Sequence, residues 1–195
     1  MTAPRRIGAE DSATRAELLD AALQLMLEEG YAAVTSRRVA AKAGLKPQLV
    51  HYYFRTMDDL FLALVRRGAE QNLHRQARAL ASPQPLRALW ELSTDVTGAT
   101  LTMEFAALAN HRKTIRAELA AYAEEFRRLQ REALTTTLER YGIIGAQLPP
   151  DAALFLITAM SQILGQEQTL GMTTGHAEIR ALVERALTQY EGPPA

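Results

Sequence analysis

The chain has 195 residues, no cysteine, 22 basic and 22 acidic side chains, and 48% hydrophobic residues. That length suits one compact domain or a small head on a larger body, and the apolar share is enough for a core. Without cysteine there is no disulfide scaffold, Cys-ligated zinc site or thiol nucleophile, and zero net charge excludes a chain-wide electrostatic argument for nucleic acid.

Met1–Arg6 carries charge but no apolar h-region behind it, so no secretory signal is read. The best membrane candidate, Ala152–Gly165, is too short to span a bilayer, and a soluble cytoplasmic protein is expected. Nearly every segment has helical periodicity, and the fold class is all-α with about nine helices. The first helix runs from about Ser12, the expected N-cap, to Glu29, with Leu18, Leu19, Ala22, Leu25 and Met26 on one stripe and a stop at Gly30. A short helix follows over Ser36–Ala43, capped by Thr35 and ended by Gly44. The next begins at Pro47, where the missing N–H costs nothing, and runs to about Tyr53.

Asp58 and Asp59 open a helix that reaches about Leu80, their charge lying at the favourable end of the helix dipole. Ser82-Pro83-Gln84-Pro85 breaks the chain. A helix with Leu86, Leu89, Trp90 and Leu92 weakens near Gly98, and a second piece holds Leu101, Phe105 and Leu108. From about Thr114 to Tyr141, Ile115, Leu119, Tyr122, Phe126, Leu129 and Ala133 alternate spacings of four and three, a bundle seam. The helix opened by Pro149-Pro150-Asp151 is apolar nearly all round and is expected to be buried on several sides. The last carries Ile179, Leu182, Val183, Ala186, Leu187 and Tyr190 on a clean stripe.

Function is concentrated in residues 35–61, TSRRVAAKAGLKPQLVHYYFRTMDDLF. From Thr35 to Met57 the charged residues are Arg37, Arg38, Lys42, Lys46 and Arg55, with no carboxylate, and Arg5 and Arg6 add a basic arm. A local basic patch in a neutral chain is what one phosphate-facing surface requires. Two short helices around Gly44, supported by the helices on either side, leave the polar face of the second free to enter a major groove. The expected DNA contacts are Thr35, Ser36, Arg37, Arg38, Lys46, Pro47, Gln48, His51, Tyr52 and Arg55, while Tyr53 and Phe54 are expected to pack inward.

This stretch resembles the TetR family of transcriptional regulators. The resemblance rests on Thr35, the Arg37–Val39–Ala40 pattern, Ala43-Gly44-Leu45, Tyr53-Phe54, Asp58/Asp59-Leu60-Phe61 and the upstream Glu29-Gly30-Tyr31. It covers about Ser12 to Val65, and the rest of the chain matches only in being helical. Lys46 stands where the family often has a capping serine, and Gln48 where it commonly has a small residue. The usual Tyr-His pair is reversed as His51-Tyr52, and Met57 replaces a lysine, a phosphate contact that Arg55 is placed to supply. Gln48 carries both the donor and the acceptor needed to read adenine in the major groove.

The resemblance implies a helix-turn-helix DNA-binding head over 1–56 and a ligand-binding and dimerisation body over 57–195. It implies a homodimer on a near-palindromic operator, acting as a repressor released by a small, largely apolar effector. Candidate ligand residues are Trp90, Thr102, Met103, Glu104, Phe105, Asn110, Phe126 and Met160, although the Trp90–Leu108 group equally suits plain core. Candidate dimer contacts are Leu154, Ile157, Ile163, Leu164, Ile179, Leu182, Val183 and Ala186. No cofactor or metal is expected, since His51, His74, His111 and His176 show no helical ligand spacing. The alternatives are a constitutive or architectural DNA binder without an effector, a helical lipid or small-molecule carrier or enzyme, and an isolated helix-in-groove adaptor. No phosphate loop or nucleophile elbow supports catalysis, and the adaptor leaves the basic patch unexplained.

Overall fold

A computed structural model describes residues 12–142 and 149–194. The basic arm of Arg5 and Arg6 lies outside the described residues. Among those residues the fold is nine α-helices and no strand: α1 (Ala13–Glu29), α2 (Ser36–Lys42), α3 (Pro47–Tyr53), α4 (Met57–Leu80), α5 (Pro85–Ser93), α6 (Val96–His111), α7 (Lys113–Arg140), α8 (Pro150–Thr169) and α9 (His176–Glu191), with a 3₁₀ turn over Tyr31–Ala33. The chain divides into two compact units, one of Met1–Ala69 with Leu101–Ala120 and one of Glu70–Thr100 with Ala121–Ala195. The first unit therefore includes the start of α4, the end of α6 and the start of α7 beside the first three helices.

The first unit is built on the apolar stripe of α1, where Leu18, Leu19, Ala22, Leu25 and Met26 are buried. They pack with Val39, Ala40, Val50, Phe54, Leu60, Phe61, Leu64 and Val65, and with Leu108, Ala109 and Ile115 from the later helices. The ends of these helices are specified locally. Thr35 caps α2 by accepting from the Arg38 N–H at 3.4 Å, and Pro47 opens α3. Gly44 has φ +67°, and the Leu45 N–H reaches back to the Ala40 carbonyl at 2.8 Å, a six-to-one bond that closes α2 tightly enough for α3 to follow at once.

Thr56 and Asp59 cap each other's backbone at the head of α4, Thr56 N–H to Asp59 Oδ2 at 2.9 Å and Asp59 N–H to Thr56 Oγ1 at 3.1 Å. Two expectations fare differently. Ser12 occupies the N-cap position of α1 but makes no cap bond; its hydroxyl donates instead to the Tyr53 hydroxyl at 2.9 Å. Gly30 has positive φ (+82°) but an extended ψ of 166°, so α1 ends in a conformation reserved for glycine rather than in a left-handed cap.

In the second unit Leu134, Leu138 and Leu154 form a core with Leu80, Leu86 and Leu89 packed against it. The break before α6 falls at Thr94 and Asp95 rather than at Gly98. Asp95 Oδ2 accepts the Gly98 N–H at 3.0 Å, so the glycine sits in the first turn of a capped helix. The α5 and α9 ends are tied by polar bonds: the Leu86 and Arg87 N–H groups donate to the Glu191 carboxylate at 2.8 and 3.0 Å, filling donors that a helix start leaves open.

The expectation that α8 is buried on several sides is not met within one chain. Leu154, Ser161 and Leu164 are buried, but Phe155, Leu156 and Ile163 are 59%, 52% and 52% exposed. One face of α8 packs on its own unit, and the other carries exposed apolar side chains, with the Arg127 guanidinium 5.9 Å from the centre of the Phe155 ring. No helix among the described residues is long and apolar enough to cross a membrane.

Candidate nucleic-acid interface

The site grows out of α2, the Gly44 turn and α3. Buried Val39 and Ala40 anchor α2, and Val50 and Phe54 anchor α3, each on the core of the first unit. With those positions facing inward, helical periodicity turns the polar residues outward. Thr35, Arg37, Arg38, Lys46, Pro47, Gln48, His51, Tyr52 and Arg55 are all exposed, and Ser36 is half-buried. Nine of the ten residues the sequence nominates for DNA are therefore exposed, on α2, α3 and the residues that flank them.

Their electrostatic states differ. Arg38 is ion-paired to Glu29 through a short hydrogen bond, and Lys42 pairs with Glu28 at 2.7 Å. These two bonds tie α2 to the end of α1. The hydrogen bond from Arg38 holds the Glu29 carboxyl below its usual range. Arg37, Lys46 and Arg55 have no ion pair among the described residues. They are the cations free to meet phosphates, whereas Arg38 must exchange Glu29 to do so.

Gln48 lies at the second position of α3 and Lys46 immediately before it, so both project from the helix start. Tyr52, 42% exposed, stacks edge-on against Tyr53 with ring centroids 5.0 Å apart. Tyr53 is half-buried and bonded to Ser12, and Phe54 is 2% exposed beneath the Arg15 guanidinium, 5.1 Å from the ring centre. Both aromatics pack inward, as expected. Sequence reasoning missed the carboxylates Glu28 and Glu29 that hold α2. Their pairing depends on the angle between α1 and α2, which periodicity does not give.

The other nominated residues are more scattered. Thr102, Met103, Glu104, Phe105 and Asn110 lie on α6 in the first unit. Phe105 packs on that unit's core, and Glu104 Oε2 accepts the Tyr31 N–H at 2.6 Å. Trp90, Phe126 and Met160 lie in the second unit; Phe126 stacks on Tyr122, with centroids 5.6 Å apart. Met160 lines an open groove of about 360 Å³ with Ile163, Leu164, Ile179 and the bonded pair His176 and Glu167, 2.8 Å apart.

Of the nominated dimer residues, Leu154 and Leu164 are buried in their own unit, Ile157, Ile179 and Val183 are half-buried, and Ile163, Leu182 and Ala186 are exposed. No group of three or more His, Cys, Asp or Glu is placed to hold a metal among the described residues.

Comparison with known proteins meets this geometry at the same place. The family described as bacterial regulatory proteins, tetR family, matches residues 18–64, the segment that holds α2, the turn and α3. The HTH-type transcriptional regulator BetI of Rhizobium meliloti (strain 1021) is 40% identical over 52 residues, 27% of this chain and 26% of its own. BetI of Brucella anthropi is 32% identical over 125 residues, 60% of this chain and 59% of its own. The chain thus spans less than two thirds of either relative.

Among solved structures, the fatty acid degradation regulator FadR from Bacillus halodurans superposes with a TM-score of 0.72 at 18% identity, covering 94% of this chain and 97% of that one. Multidrug binding protein EbrR, complexed with imidazole, superposes with a TM-score of 0.59 at 25% identity, covering 95% and 98%. The nine helices of the described residues share the fold of these regulators, and residues 18–64 match the tetR family of bacterial regulatory proteins.

Proposed function

We propose that the protein is a DNA-binding transcriptional regulator that acts in the cytoplasm as a homodimeric repressor. The observation that carries this reading is the exposed residues of α2, α3 and their flanks, where Arg37, Lys46 and Arg55 have no ion pair among the described residues and Gln48, His51 and Tyr52 are exposed with them. Cations at the rim hold phosphates and set register, while Gln48 at the start of α3 offers a bidentate donor and acceptor to a base edge. A helix in the major groove, repeated by two-fold symmetry about 34–36 Å away, reads a near-palindromic operator.

The exposed apolar side chains of α8, with Leu182 and Ala186 of α9, support pairing with a second copy. The head is assigned to 1–56 and the body to 57–195, where a small, largely apolar effector binds and releases the DNA. The likeness to EbrR, a multidrug binding protein, supports a ligand-binding body of this fold. DNA and effector then oppose each other with a reciprocal coupling of about 1–3 kcal/mol.

The test is the salt dependence of duplex binding. The wild type is expected to lose affinity linearly in log–log coordinates as salt rises, and combined replacement of Arg37, Lys46 and Arg55 by alanine to reduce the slope by about 3 if each holds one phosphate. An unchanged slope would remove these cations from the interface; no duplex binding at low salt would remove the function.

A further inference from the structure

We infer that residues 104–112 brace the helix-turn-helix from outside it, with Glu104 and Arg112 as positioning residues for DNA reading. This rests on the DNA-binding function proposed above. At one end, Glu104 Oε2 accepts the Tyr31 N–H at 2.6 Å across 73 positions of sequence. Tyr31 opens the 3₁₀ turn between α1 and α2, where a helix start leaves its N–H without an intrahelical partner. The carboxylate lies against Gly30, where an added Cβ would come within 3.3 Å of Glu104 Oε2. The extended, positive-φ backbone of Gly30 would also strain any other residue. Joint and carboxylate are therefore fitted to each other.

At the other end, Arg112 is ion-paired to Asp58 in the first turn of α4, and its guanidinium lies 5.4 Å from the centre of the Phe61 ring. Tyr31 precedes α2 and Asp58 follows α3, so the two bonds bracket the DNA-facing pair at its entry and its exit. Between them Leu108 and Ala109 are buried in the same core as α1. Apolar burial is non-directional and holds the segment down, whereas charge-assisted hydrogen bonds are directional and fix where along α1 and α4 it sits. Eight residues of helix span about 12 Å. The brace thus ties the two ends of the helix-turn-helix to α6 and to the Arg112 joint that follows it, and sets the angle at which α3 is presented. Glu104, nominated from the sequence as a ligand contact, is engaged in this work.

The full chain tests it, with a duplex selected by the wild type from a random pool and an unrelated duplex as control. Glu104→Ala is expected to lose about tenfold or more in affinity for the selected duplex while its thermal unfolding stays cooperative and its affinity for the control is unchanged. Glu104→Gln keeps an acceptor oxygen for Tyr31 and is expected to restore most of the loss. Arg112→Ala repeats the effect from the other end. Equal binding by Glu104→Ala and wild type, or equal losses on both duplexes, overturns the inference.

Hydrogen exchange at the Tyr31 amide separates the brace from the DNA reading. If the wild type selects no duplex, the DNA function fails. Fast exchange in Glu104→Ala with protection in Glu104→Gln would still establish the bond, and unchanged exchange would overturn it.

Discussion

The guanidinium of Arg87, 7% exposed near the start of α5, donates to Glu184 on α9 at 2.6 Å and to the Gly192 carbonyl at 3.2 Å. Beside it the Glu191 carboxylate receives the first backbone donors of α5. The hydrogen bond from Arg87 holds the Glu184 carboxyl below its usual range. A depressed folded-state pKa contributes stability that is present above the unfolded value, near 4.3 for Glu, and is lost as pH falls through the folded one. Urea midpoints of the wild type are therefore expected to fall as pH drops below about 4.3, and those of Glu184→Gln to fall less steeply. Parallel pH profiles for the two would show that Glu184 gains nothing from Arg87.

Tyr53 at the end of α3 is tied to the residue before α1 by accepting from Ser12 at 2.9 Å. Tyr53→Phe keeps the ring and removes the acceptor, leaving a half-buried hydroxyl unpaired. A loss of about 1 kcal/mol in unfolding free energy is expected, and Ser12→Ala on top should add little, because the bond is already gone. Additive losses from the two changes would show that the hydroxyls act independently.

Gly165 on α8 faces Ala99 on α6 so closely that a Cβ would lie 2.7 Å from the Ala99 Cβ. Neither group can rotate away, so Gly165→Ala has to separate the helices. Overpacking is expected to cost about 1–3 kcal/mol, offset in part by the gain of about 1 kcal/mol that alanine brings to a helix interior. Ala99→Gly in the same chain should restore stability, measured by chemical denaturation. A stabilised Gly165→Ala single variant would contradict the close approach.

Leu182 is 52% exposed on α9, and Ile163 equally so on α8. If this face meets a second copy, Leu182→Glu places a charge in an apolar interface and is expected to convert a dimer to a monomer in sedimentation equilibrium, with the helical spectrum retained. A charged variant that still sediments as a dimer would move the interface elsewhere.

The head was legible because its signals are local. Thr35, Gly44 and Pro47 each impose a backbone conformation on their own neighbours, and the apolar stripe of α1 follows from period alone. The exposed cations followed from these, since fixing Val39 and Val50 inward leaves Arg37 and Gln48 outward. Long-range polar bonds were not legible. Ser12 reads as a cap, yet its hydroxyl reaches Tyr53. Glu104 also accepts from Tyr31, a partner 73 positions away that no periodicity identifies. The all-round apolar character of α8 was visible, but its consequence was not. A helix of that kind can be covered by its own chain or by another, and Phe155, Leu156 and Ile163 stay more than half exposed in this one.

The central claim is that α3, repeated by two-fold symmetry, reads DNA sequence. Selection of bound sites from a random duplex pool at near-physiological salt tests it most directly. The expected result is an enriched near-palindrome whose half-sites lie about one helical turn or a multiple of it apart, with Gln48→Ala losing preference at one base pair of each half-site. Salt-sensitive binding without enrichment, or an enriched site whose preferences Gln48→Ala leaves intact, would contradict it.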